Sequence, residues 1–212
     1  MTNFIAVFPL SLVLYPGEHL NLHIFEPRFK QMIADCINEK KSFGILPVVN
    51  GQVMELGTLT EITSVEKIYE DGRMDIRTKG IKVFRVLELI KNLPDKLYSG
   101  AIVTYTAEEQ INISKNLAQL IIDEVRRLYK LLNEEAKLPR QFDDWNSYMF
   151  AQKCGLNLQQ SYELLSLLNE MHRLEYLRRY LQDRKPVLDE LERLKARIKM
   201  NGQFRNLNAH DL

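Results

Sequence analysis

His19 and His23 stand four residues apart, the spacing at which two imidazoles converge on a zinc ion if the segment is helical. The segment "HLNLHI" instead alternates apolar and polar residues, the pattern of a strand, on which the two side chains would sit about 13 Å apart at a rise of ~3.3 Å per residue. Both are expected to be solvated histidines on a polar face. His172, in "LLNEMHRLEYL", neighbours apolar positions and reads as a boundary residue, not a base. Glu26 with Arg28 could form an acid/base pair, but a carboxylate at a helix start beside an arginine reads as a cap and a local ion pair. Cys36 and Cys154 are far apart and flanked by apolar residues, so neither a disulfide framework nor a thiolate metal site is indicated; both are expected as small core residues. The chain contains no Gly-Lys pair, which excludes a P-loop. No Ser, Cys or Thr lies in a recognisable nucleophile context. No catalytic, cofactor-binding or metal-ligating residue is assigned.

The totals narrow the field further. A chain of 212 residues holds one large domain or two small ones, and its 45% hydrophobic and 27% charged content is that of an ordinary globular protein. With 29 basic against 28 acidic residues there is no global field to draw it onto nucleic acid or an anionic membrane. The opening "MTNFIAVFPL" lacks a basic region and is broken by Pro9, unlike a signal peptide. No window reaches the roughly 18 apolar residues of a membrane helix, and a cytoplasmic location is expected.

Two kinds of element must position whatever the chain uses. Residues 1–105 alternate repeatedly, in "FIAVFPL", "HLNLHIF" (Leu20, Leu22 and Ile24 on one side), "FGILPVV" and "VFRVLEL", and Asp71-Gly72 is expected as a two-residue hairpin turn with both residues at positive φ. One helix interrupts the strands. Pro27 suits its first position, and Phe29, Met32, Ile33, Cys36 and Ile37 form an apolar face. After Tyr105 the period becomes helical. A helix carrying Ile113, Leu117, Leu120, Ile121, Val125, Leu128 and Leu132 is expected to end at Leu138-Pro139. A short one capped by Asp143 or Asp144 is expected to stop at Gly155. A capping box of Asn157 and Gln160 is expected to open a helix over 158–183, with another starting near Pro186. On the last, Val187, Leu191, Leu194 and Ile198 form a stripe expected to pack within the helical part, with a dimer seam as the alternative. The charges of "RKPVLDELERLKARIK" alternate as on a solvated face. The polar residues 202–212 are expected to be a flexible tail. The fold class is therefore α+β, a closed or partly closed sheet over 1–105 followed by helices over 106–201.

"FPLSLVLYPGEHLNLHIFEPRFKQMIADC", then "FGILPV" and "ELGTLTEITSVEKIYEDGRMDIRTKGIKVFRV", resembles the amino-terminal substrate-binding domain of the Lon protease family. The motif residues are Phe8-Pro9-Leu10, Pro16-Gly17, Leu20-x-Leu22-x-Ile24-Phe25-Glu26-Pro27-Arg28-Phe29, Gly57-Thr58 and Gly80. The later "NLQQSYELLSLLNEMHRLEYLRRYLQ" is similar to the helical subdomain that follows in that family, extending the likeness to about residue 183. The resemblance implies a PUA-like pseudo-barrel of about six strands with one inserted helix, then a bundle of about four helices. It does not bring proteolysis with it, since no residue matches the family's ATPase or serine-lysine peptidase motifs.

The function so implied is non-catalytic recognition of polypeptide segments or partner proteins, without a cofactor, through apolar grooves or an exposed strand edge. Phe8, Tyr15 and Phe25 are the candidate apolar contacts where exposed, and Arg28, Gln31 and Asp35, opposite the helix's apolar face, the polar ones. PUA-like barrels of other families bind RNA or modified bases, but residues 1–105 hold twelve basic and twelve acidic residues, no excess for phosphate. A small-molecule pocket between barrel and bundle is a third reading. Monomer and weak dimer both stay open.

Overall fold

In the computed structural model the chain is described over residues 2–106, 115–142 and 145–204. The alternating stretches of the first half become seven strands: β1 (Thr2–Leu10), β2 (His19–Ile24), β3 (Phe43–Val49), β4 (Gln52–Val53), β5 (Leu56–Ile68), β6 (Met74–Ile90) and β7 (Gly100–Tyr105), with helix α1 (Pro27–Glu39) between β2 and β3. Their order is β1-β7-β6-β5-β3-β4, and β1 also pairs with β3 in parallel, Val7 opposite Gly44. Five strands thereby form an unbroken ring of pairings, antiparallel except at β1–β3. β2 stands outside the ring and, among the described residues, pairs only with β6.

The apolar residues fill two clusters. α1 lays Phe29, Met32, Ile33 and Cys36 against Phe8, Leu14, Ile24, Phe43, Ile45 and Ile76, as its 3-and-4 spacing dictates. Phe84, buried completely, centres the second cluster with Ile5, Val7, Leu46, Leu59 and Val103. Gly80 allows the chain to cross itself: a Cβ there would collide with the carbonyl oxygen of Tyr15. The Thr58 hydroxyl donates to the Leu14 carbonyl, satisfying two buried polar groups at once. Both thiols are core residues; burial pushes Cys36 up to about 11 and Cys154 up to about 12.

The hairpin between β5 and β6 differs from expectation. Only Gly72 has positive φ, the Tyr69 amide donates to the Arg73 carbonyl at 2.9 Å, and Gly72 donates to Tyr69 at 2.9 Å, a three-residue connection with glycine in its last place. The turn with two positive-φ residues is Asn50-Gly51, joining β3 to β4.

The second half contains α2 (Lys115–Leu132), a short 3-10 turn (Glu135–Lys137), α3 (Ser147–Cys154), α4 (Leu158–Ser166) and α5 (Glu170–Phe204). α2 ends before Leu138-Pro139, because Asn133 turns left-handed (φ 54°) and the Glu134 amide caps the Tyr129 carbonyl at 2.9 Å. Of its stripe Ile121 and Val125 are buried, Leu120 and Leu132 are exposed, and Ile113 lies outside the described residues. So do Asp143 and Asp144; the Asn146 side chain accepts from the Met149 amide at 3.1 Å instead. Gly155 stops α3 as expected, with φ 71°. The Asn157–Gln160 box is present with both bonds, 2.9 and 3.0 Å. The helix it opens is shorter than 158–183: it breaks at Leu167, and a new helix begins after Asn169, a residue type that favours the N-cap. That new helix then runs unbroken through Pro186, where a separate start was expected. Residues 202–204 belong to its last turn, and 205–212 lie outside the described residues. Val187, Leu191, Leu194 and Ile198 are all exposed, so the expected packing of this stripe within the helical part is not found.

The described residues divide into two compact units, one within 1–111 and 155–170, the other within 112–154 and 171–212. α4, counted with the helical part in the sequence, thus lies with the sheet. Tyr15 donates its hydroxyl to the Ser161 carbonyl at 3.2 Å, and the Tyr162 hydroxyl accepts from the Leu56 amide at 3.4 Å. In the second unit Arg127 of α2 is held by Asp189 and Glu192 of α5. No described helix is long and apolar enough to cross a membrane.

Candidate functional site

β2 offers one edge to β6 and, among the described residues, no strand pairs with the other. Its alternation is that of the sequence: Ile24 is buried, Leu20 and Leu22 are half-buried, and His19, Asn21 and His23 are exposed. Phe25 follows Ile24 and so turns outward, 59% exposed. An unpaired edge displays backbone donors and acceptors to any extended chain that reaches it.

The residues past the strand fix this exposure. Glu26, extended at φ −70° and ψ 136°, occupies the cap position without a side-chain cap bond. Its carboxylate takes the Arg28 guanidinium instead, at 2.8 Å from both Nε and Nη2. The same guanidinium lies 4.4 Å from the centre of the Phe29 ring, so Arg28 is exposed but aimed. The ion-pair reading of Glu26 and Arg28 holds; the cap does not.

Beside Phe25 lies a polar cluster that sequence reasoning missed. His23 Nδ1 is 2.6 Å from one oxygen of Asp75, and the Tyr69 hydroxyl donates to the other at 2.7 Å. These bonds, His23's first, hold the Asp75 carboxyl below its ordinary value, and the carboxylate in turn raises the Tyr69 phenol. Lys67 and Arg73 sit 4.4 and 4.9 Å from the Tyr69 ring centre, and His23 is 6.1 Å from Phe25. Lys30 on α1 donates to the Asp71 carbonyl at 2.7 Å, tying the helix to the tip of the β5–β6 hairpin. His23 was expected to be solvated; it is exposed, and partnered by Asp75. The one local signal was the hairpin, which sets Tyr69 opposite Arg73; the facing of His23 and Asp75 depends on a register 52 residues long.

The other candidates fall into two groups. Phe8 and Tyr15 are core residues, 6% and 4% exposed, and are not available as contacts. Phe8 stacks on Phe29 with centroids 3.8 Å apart, because its position on β1 faces α1. Gln31 and Asp35 lie on α1 but spend their polar groups internally. Gln31 accepts from the Leu97 amide at 2.7 Å and donates to the Asp95 carbonyl at 3.1 Å. Asp35 accepts from Lys96 and from the Tyr98 hydroxyl, both at 2.8 Å. Lys96 chiefly holds the Asp35 carboxyl low, and burial pushes the Tyr98 phenol far above its usual value. These two residues clasp the loop between β6 and β7. A cavity of about 360 Å³ opens beside the clasp, lined by Phe4, Asp35, Lys41, Tyr98 and Tyr105. Among the described residues no group of three or more His, Cys, Asp or Glu could hold a metal ion.

The arrangement is thus an unpaired strand edge with an exposed aromatic, an ion pair and a hydrogen-bonded His–Asp–Tyr cluster beside it. Residues 5–183 match the family described as the ATP-dependent protease La (LON) substrate-binding domain. Among solved structures the chain is similar to a Lon N-terminal domain protein from Xanthomonas campestris, at 25% identity and a TM-score of 0.66, over 82% of this chain and 96% of that one. It also resembles in fold the N-terminal domain of the Mycobacterium avium complex Lon protease, at 16% identity and a TM-score of 0.62, over 85% and 99% of the two chains.

Proposed function

The chain belongs to the LON substrate-binding domain family, and from that premise we propose that it is a non-catalytic module that holds extended polypeptide segments by adding them as a strand to the free edge of β2. The observation that carries this reading is that unpaired edge ending in the exposed Phe25. Backbone bonds along His19–Ile24 would supply sequence-tolerant affinity, and Phe25 with Arg28 would favour a segment carrying an apolar residue and a nearby carboxylate. Strand addition suits a protein that must accept many segments, since every peptide has the same backbone. Within this reading the closed ring of strands is a PUA-like pseudo-barrel, the helices after residue 105 are largely a supporting bundle, and the protein works in the cytoplasm.

The test uses a permanently unfolded probe, reduced and carboxymethylated α-lactalbumin, and a short labelled extended peptide from it, read by fluorescence anisotropy. Binding of both is expected, with affinity falling about tenfold or more in Phe25→Asp, the order expected when burial of one large apolar side chain is lost. A peptide N-methylated on alternate amides, in the set that would face β2, should not bind. Equal binding by the methylated peptide refutes strand addition, and binding only of RNA in a parallel titration refutes the polypeptide reading.

A further inference from the structure

The second unit carries an apolar surface that polypeptide recognition by the sheet leaves unused. On α5, Val187, Leu191, Leu194 and Ile198 are 60%, 46%, 46% and 70% exposed. Their steps of 4, 3 and 4 put them on one face, the spacing of a two-stranded seam. The neighbouring face is already occupied: Leu188 is buried, Asp189 and Glu192 hold Arg127, and Lys195 donates to the Leu131 carbonyl. Next to the stripe, and sharing Val187 and Leu191 with it, an apolar cavity of about 340 Å³ is lined by Leu128, Cys154, Leu181 and Leu188.

We infer that this stripe is a homodimer seam, on which α5 of a second copy of the chain packs antiparallel. The charges beside it select that occupant. Glu190 and Arg197 lie on the flank away from α2, and among the described residues neither has an ion pair. Their midpoint falls within one residue of the midpoint of the stripe. A two-fold axis near Glu192 and Arg193 sets Leu191 against Leu194 of the second copy and Val187 against Ile198. It also brings Glu190 alongside Arg197 of the second copy, twice by symmetry. The surface is thus complementary to its own reverse, as an isologous interface must be. Ile198 of the second copy then stands over the mouth of the cavity beside Val187, a hole for that knob. A parallel pair would set Glu190 against Lys195, whose ammonium is already engaged at Leu131. Four side chains and a groove fall short of the roughly 800 Å² per partner of a stable interface, so the dimer is a weak one, with a Kd in the micromolar range or above. Two copies would hold two β2 edges, and a long unfolded segment engaging both would be retained by avidity.

The test is sedimentation equilibrium of the full chain without peptide, from about 1 µM to about 1 mM, spanning that range. A monomer–dimer equilibrium is expected for the native sequence. Leu191→Glu with Leu194→Glu should give a monomer throughout, with unchanged far-UV circular dichroism because both positions are exposed. Glu190→Arg should raise the Kd several-fold, and Glu190→Arg with Arg197→Glu should restore it. A native chain that stays monomeric to 1 mM overturns the proposal, as does a dimer undiminished in the double-glutamate variant. If Lys195→Glu repairs Glu190→Arg and Arg197→Glu does not, the antiparallel arrangement is wrong. No peptide enters the experiment, so its outcome is independent of strand addition at β2.

Discussion

Tyr98→Phe removes one oxygen from the protein and leaves its shape alone. The ring is 8% exposed and packs in the cluster beneath α1, while its hydroxyl donates to Asp35 at 2.8 Å. Hydrogen bonds to charged groups contribute about 1.5–3 kcal/mol. The Asp35 side chain is 25% exposed and keeps Lys96, so water and the ammonium recover part of the loss, and a net cost of about 1 kcal/mol is expected. Asp35→Ala loses both partners and should cost about 1–2 kcal/mol. The double variant should cost little more than Asp35→Ala alone, a coupling of about 0.5–1 kcal/mol between side chains in contact. The pH dependence has a definite sign. The folded Asp35 carboxyl titrates below its unfolded value, so its contribution is complete above the unfolded pKa of ~3.9 and is lost as pH falls through the folded one. The difference between native protein and Tyr98→Phe should therefore hold constant from pH 7 to 5 and shrink below pH 4. Urea unfolding followed by circular dichroism gives the energies, and amide exchange should quicken in the loop after β6. Additive single variants, or a difference that grows in acid, would refute the clasp.

Gly80→Ala should destabilise the first unit by about 2–3 kcal/mol or prevent folding, since the new methyl meets the backbone carbonyl of Tyr15 and not a movable side chain; thermal unfolding of the purified variant reads this directly. Both cysteines, with pKa values pushed up to about 11 and about 12 by burial, should resist Ellman's reagent at pH 8 in the native protein and react fully in guanidinium; fast reaction of either without denaturant contradicts its placement. Asn157→Ala removes the acceptor for the Gln160 amide and should cost about 1 kcal/mol in chemical unfolding. The Asp75 carboxyl is likewise held low, so the pH at which it protonates, read by carbonyl chemical shifts, should rise in His23→Leu.

What the sequence showed and what it hid separate along a physical line. Features set by a residue and its near neighbours were legible: the alternation of β2, the start of α1 at Pro27, the capping box at Asn157, and the stop at Gly155. The family motif was legible too, because it is a run of such local devices in fixed order. Features set by which strand lies beside which were not. The His23–Asp75–Tyr69 cluster exists only once β2 has paired with β6. The exposures of Phe8 and Phe25 are opposite although both are aromatic residues on or beside strands. α4 carries no sign that it belongs with the sheet, because its ties run through Tyr15 and Tyr162 to partners over a hundred residues distant. Pro186 misled in the other direction: α5 runs through it although residues 182–187 are exposed, with the buried Leu181 and Leu188 anchoring the helix on either side.

The ring of strand pairings also constrains time. β1 is made first, yet both its partners come later, β3 some forty residues on and β7 at the end of the sheet, where Thr2 meets Thr104. A nascent chain can form the β5–β6 hairpin early, since its contacts are local, and Val7–Leu10 can meet β3 once residue 47 has emerged, but Thr2–Ala6 stay unpaired until residues 100–104 follow. Contacts of such sequence separation slow folding. During the wait that half of β1 is open to pairing with other chains, and deletion of residues 1–10 should leave the edges of β3 and β7 that receive β1 permanently unpaired and drive the chain to aggregate.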